Sequence, residues 1–125
     1  MHGRMRRLAA SLAIALALGL AACGGDDEEP VGEPSAGECP EGAVVIAMRD
    51  IKFDPEEATA KVDQEICWPN EDQIQHNAVA EEGADFKSDL YGEGEIFTAS
   101  VPQAGTVRYV CTIHPGMDGT IEVTP

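Results

Sequence analysis

The stretch that most limits what this chain can become is Cys111-Thr112-Ile113-His114-Pro115-Gly116-Met117, close to the C-terminus. It places a thiol, an imidazole and a thioether within seven residues. Ahead of it, Val107, Tyr109 and Cys111 share one face of a strand, because successive side chains alternate across a sheet. The chain must then leave the sheet and turn back on itself, and Pro115-Gly116 supplies the sharp turn that brings His114 and Met117 round toward Cys111. A further imidazole, His76 in Gln75-His76-Asn77, lies far upstream. A fold that brings it to the same place must join distant strands at one end.

The rest of the chain supplies such strands. Residues 44–48 alternate, 58–62 form a second segment, and 65–68 form a third, stopped by Pro69-Asn70. Residues 74–80 carry His76. Residues 95–101 follow a turn at Gly92 and Gly94, and 106–111 and 120–123 complete the set. Short strands, turn residues between them and no helical period predict an all-β fold, a sandwich or a barrel. Residues 81–91 are the least regular part, with room for a helical turn. A domain of this size buries only about 60–65% of its unfolded surface, so a cross-link or a bound metal matters to its stability.

The first residues stand apart. Arg4, Arg6 and Arg7 form a basic region, and residues 8–20 form an apolar run. That run is short of the roughly 20 residues a membrane-spanning helix needs, and reads as an export signal over residues 1–22. Leu20-Ala21-Ala22-Cys23 resembles the lipobox of bacterial lipoproteins, which implies cleavage before Cys23 and lipid on its sulfur; the alternative is ordinary cleavage at small residues. Residues 23–38, with Asp26-Asp27-Glu28-Glu29, read as an acidic Gly/Pro-rich disordered tether, extended by self-repulsion. The folded domain is then 39–125. The full chain carries 8 basic and 23 acidic residues, a net charge of −15. Export removes three of the basic residues and no acidic one, leaving −18. Such a chain repels phosphate backbones, which excludes nucleic acid as a partner. It also repels an anionic membrane surface, so a lipid anchor has work to do there. The same charge either steers a basic partner or keeps an exported protein soluble.

Histidine use is sparing: His2 in the signal, then His76 and His114. Thiolate and thioether are soft donors, and imidazole suits copper, zinc and iron. No carboxylate accompanies the motif, which argues against magnesium, calcium or manganese. Methionine is a poor zinc ligand, and no C-x-x-C-H haem-attachment sequence is present. Two His, one Cys and a weak Met form the donor set of a blue-copper electron-transfer site. Four protein donors leave no open position for a substrate, which argues against an enzyme.

Several stretches carry a specific resemblance: Phe53-Asp54-Pro55, Trp68-Pro69-Asn70, His76-Asn77, Phe86-Lys87-Ser88, the run from Gly105 to Cys111, and His114-Pro115-Gly116-Met117-Asp118-Gly119. Across residues 43–124 the chain resembles a small cupredoxin of the plastocyanin/amicyanin type, which implies a Greek-key β-sandwich of two mixed sheets. The resemblance implies one type 1 copper ion with His76, Cys111 and His114 as strong ligands and Met117 as the axial one. It implies that Asn77, otherwise a turn residue, hydrogen-bonds to the Cys-bearing loop. It implies a monomeric one-electron carrier, with electrons passing the edge of His114 to a redox partner protein such as a cytochrome, oxidase or dehydrogenase. The signal and lipobox add an anchor on the outer, periplasmic face of a bacterial membrane. A copper-binding or copper-delivery protein of the cell envelope, using the same ligands, is the alternative function. Two positions differ from the family: Val110 stands where plant plastocyanins carry Tyr, and Gly116 where amicyanin carries an aromatic residue.

Cys39 and Cys67 remain. In Glu65-Ile66-Cys67-Trp68, Ile66 and Trp68 are expected to face the core, which turns Cys67 outward, within reach of the segment entering at Cys39. In an oxidising compartment the two form a disulfide or stay as unrelated thiols.

Overall fold

The computed structural model describes residues 31–125. The expected signal over 1–22 and the lipid-bearing Cys23 lie outside the described residues. In chain order the strands are β1 (Val31–Gly32), β2 (Ser35–Ala36), β3 (Val44–Val45), β4 (Ala47–Arg49), β5 (Lys52–Asp54), β6 (Glu57–Lys61), β7 (Glu65–Pro69), β8 (Val79–Glu82), β9 (Lys87–Ser88), β10 (Glu95–Ser100), β11 (Gly105–Val110) and β12 (Asp118–Thr124). Among the described residues there is no helix, and the fold is an all-β sandwich.

One layer is a six-stranded sheet in the order β1-β9-β8-β11-β12-β6; the other is β2-β10-β7-β3, with the β4–β5 hairpin as a separate two-stranded piece. Both larger sheets are mixed. β1 and β9, β6 and β12, and β3 and β7 run parallel, and the other pairs are antiparallel. The alternating segment at 44–48 is two strands, because the chain changes partner at Ile46. Val44 and Val45 pair with β7, whereas Ala47 to Arg49 pair with β5.

The core fills the space between the sheets. Trp68 lies at its centre, with ring centroids 4.9 Å from Phe86, 5.5 Å from Phe97 and 5.6 Å from Tyr109. Such aromatic packing contributes area and directional contacts together. β12 shows why the strand sequence has the residues it has. Gly119, Ile121 and Val123 face inward on alternate positions. Gly119 sits opposite Tyr109, and a Cβ there would lie 2.5 Å from the tyrosine ring, so only glycine admits that ring.

Three expectations change. First, the tether does not run free to residue 38. β1 pairs with β9 and β2 with β10, so residues 31–36 add a strand to an edge of each sheet. Open edges present unpaired N–H and C=O groups that accept such strands. Gly32 permits the close approach, because a side chain there would collide with the ring of Phe97. Second, residues 81–91 contain no helical turn. β8 and β9 form a short antiparallel pair, and Gly83, at φ +82°, makes the reversal against the Thr106 carbonyl, where a Cβ has no room. Third, Cys67 is fully buried. It points away from Ile66 and Trp68, but that face is covered, since Cys39 is bonded to Cys67 with Cα atoms 5.8 Å apart.

Candidate metal centre

Cys111 follows the last residue of β11, and the loop after it closes on itself. The Cys111 N–H donates to the Met117 carbonyl at 2.9 Å, and the Met117 N–H donates to the His114 carbonyl at 3.1 Å. Gly116 sits at φ +87°, a left-handed conformation that costs glycine nothing and most other residues a good deal. Cys111 and Met117 are buried, and His114 between them is half-buried.

His76 arrives from the other side, from an isolated bridge to Tyr91 rather than from a ladder strand. Its N–H donates to the Tyr91 carbonyl at 3.1 Å and its carbonyl accepts from Tyr91 at 2.9 Å. Its side chain is wholly buried. The loop ahead of it is held by Asn70, whose amide donates to the carbonyls of Ile74 and Tyr91, both at 2.9 Å.

These two segments bring three donor atoms face to face. His76 Nδ1 and His114 Nδ1 are 3.1 Å apart, and Cys111 Sγ lies 3.5 Å from the His114 nitrogen and 3.9 Å from the His76 nitrogen. Among the described residues this is the group of His, Cys and acidic side chains close enough to hold one metal ion, with donors within 4.8 Å of one another. Met117 lines the same shallow cleft as Cys111 and His114, together with the carboxylate-bearing Glu81 and Asp118. Asn77 bridges the two segments: its amide donates to Thr112 Oγ1 and its carbonyl accepts from the Thr112 N–H, both at 2.8 Å.

Sequence reasoning missed Asp72. A carboxylate does belong to this assembly, on the far side of His76, with Asp72 Oδ2 2.7 Å from His76 Nε2. Partial burial pushes the Asp72 carboxyl up. Hydrogen bonds from the Ile51 N–H, His76 and the Asp50 N–H outweigh that and hold it below the usual carboxylate range. An ionised carboxylate only accepts, so the His76 proton resides on Nε2 and the Nδ1 lone pair faces Cys111 and His114. The only trace of this in the sequence is an Asp four residues before a His, a spacing with no meaning outside a helix.

Residues 40–124 match the family of copper binding proteins described as the plastocyanin/azurin family. The chain belongs to that family. Amicyanin from Paracoccus versutus is 29% identical over 100 residues, covering 77% of this chain and 74% of that protein. Plastocyanin from Scenedesmus fuscus is 34% identical over 85 residues, covering 58% of this chain and 87% of that one. The solved structure of an oxidized amicyanin mutant superposes with a TM-score of 0.69 at 28% identity, covering 75% of this chain and 94% of that one. The metal is copper, and the donors present fit it: a buried sulfur and two imidazole nitrogens, one already in the tautomer a metal requires.

Proposed function

We propose that this protein is a one-electron carrier in which His76, Cys111 and His114 hold a type 1 copper ion, with Met117 as a weaker fourth ligand. The observation that carries this reading is the convergence of one thiol and two imidazole nitrogens, 3.1 to 3.9 Å apart, at one end of the sandwich. Copper supplies a one-electron couple that soft and borderline donors support in both oxidation states. The protein's part is to hold those donors still. Asn77 ties the His76 segment to the Cys111 loop, and the loop's own hydrogen bonds set the turn. Donors already fixed before the ion enters have little to rearrange when the electron count changes.

His114 is the half-buried member, and Thr112, Ile113, Pro115 and Gly116 around it are exposed. A redox partner protein docks over this loop and exchanges electrons through the His114 edge. The protein is a carrier rather than an enzyme. It is exported and works outside the cytoplasm, held to the outer face of the membrane by lipid on Cys23.

Cu(II) added to the purified protein should produce an intense blue form that reductant bleaches, and Cys111→Ser should abolish the colour. His114→Gly should slow exchange with a redox partner by at least tenfold while the sandwich stays folded. A correctly folded protein that remains colourless with Cu(II) would falsify the reading.

A further inference from the structure

His76 is wholly buried, yet none of its ring contacts with Cys111 and His114 explains why it presents Nδ1 rather than Nε2. The answer lies behind the ring. Asp72 Oδ2 accepts from His76 Nε2 at 2.7 Å and from the Ile51 N–H at 3.0 Å, while Oδ1 accepts from the Asp50 N–H at 2.8 Å. Its own N–H donates to Asn70 Oδ1 at 2.8 Å. Two backbone N–H groups therefore hold the carboxylate, and Asn70 holds the backbone that carries it, before it meets the imidazole.

The turn that holds it is unusual. Arg49 pairs with Lys52, so Asp50 and Ile51 form a two-residue hairpin loop between β4 and β5. Both have positive φ, 54° and 58°. Turns of this type favour Asn-Gly, and a β-branched residue there is a marked outlier. Such a conformation persists only where its surroundings over-determine it. Consecutive left-handed residues aim their N–H groups into one concavity, which binds an anion, and here the anion is the Asp72 side chain. Met48 and Asn70 bridge the hairpin to the loop carrying Asp72, and the Glu71 N–H donates to the Met48 carbonyl at 2.9 Å. The hairpin and the His76 loop thus form one assembly.

We propose that Asp72, clamped by the Asp50-Ile51 turn, is a positioning residue that locks His76 in the Nε2–H tautomer with Nδ1 aimed at Cys111 and His114. This rests on the reading of His76 as a copper ligand. Residues that hold the outer nitrogen of a metal-bound imidazole fix its orientation and raise its basicity, and losing them typically costs about 10–100-fold in metal affinity. Removing the carboxylate makes His76 a weaker donor and takes a negative charge away, which favours Cu(I) over Cu(II).

The test uses the full exported chain as wild type, Asp72→Asn and Asp72→Ala. In the copper-free proteins, imidazole ¹⁵N shifts report the His76 tautomer: wild type should show the Nε2–H form alone, and Asp72→Ala a mixture. In the copper-loaded proteins, Asp72→Ala should bind Cu(II) about 10–100-fold more weakly, with a raised reduction potential. Asp72→Asn keeps one accepting oxygen and should retain the tautomer with a smaller loss. It carries the test if Asp72→Ala does not fold. A blue wild type beside variants with unchanged tautomer, affinity and potential would overturn the proposal while leaving the copper reading intact. A wild type that takes no copper, with His76 still locked by Asp72, would overturn the copper reading alone.

Discussion

Asn77 shows how much one side chain can set. Its two hydrogen bonds to Thr112 span 35 positions of sequence and join the segment bearing His76 to the loop bearing His114. Asn77 is buried and Thr112 is exposed, so cutting Asn77 back loses both hydrogen bonds while water can reach the Thr112 N–H. A typical internal hydrogen bond contributes about 1 kcal/mol net. Asn77→Ala should therefore lower the unfolding free energy by roughly 2 kcal/mol and perturb the visible spectrum of the copper form. Thr112→Val removes only the hydroxyl acceptor and should cost less. Urea titration of the two variants checks the order, and equal stability for Asn77→Ala and wild type would contradict it. The resemblance indicated this role for Asn77. Nothing indicated Asp72, because its partners come from a hairpin turn more than 20 positions upstream, in Asp50 and Ile51. A motif records neighbours in sequence, whereas this contact exists only once the loop and the hairpin have packed together.

The disulfide acts on a longer stretch. It closes a sequence separation of 28 between the segment entering the sandwich and the middle of β7. Constraining an unfolded loop of that length stabilises the fold by about 3–4 kcal/mol in the chain-entropy view. Reduction, or the double change Cys39→Ala with Cys67→Ala, should lower the denaturation midpoint accordingly, and coincident curves for the oxidised and reduced forms would refute this. Elements were legible in the sequence where a two-residue period ran unbroken. β11 and β12 announce themselves through Val107 and Tyr109, and through Ile121 and Val123. Where a strand changes partner, as at Ile46, or where pairing lasts a single bridge, as at His76, the period carries no mark of it. The strands at Val31–Gly32 and Ser35–Ala36 were invisible for another reason. Each is only two residues long, too short to show a period, and they pair because two sheet edges are waiting for them.

At the scale of the molecule, charge bears on where the protein could work. If residues 1–22 are removed as an export signal, the chain would carry −18, an anionic lipid surface would repel it, and membrane association would need the proposed lipid on Cys23. Cys23→Ser should move the protein from the membrane fraction to the soluble extracytoplasmic fraction and abolish labelling by radioactive fatty acid. Labelling that survives the change would refute lipid attachment at that residue. The register of β1 then acquires a meaning of its own. Val31–Gly32 runs parallel to Lys87–Ser88, and that strand leads on to Tyr91, where His76 is met. The register runs level across the sheet from Val31 through Lys87 and Val79 to Val110, the neighbour of Cys111, so the first described strand lies at the copper-bearing end, three strands away from the Cys111 strand in the same sheet.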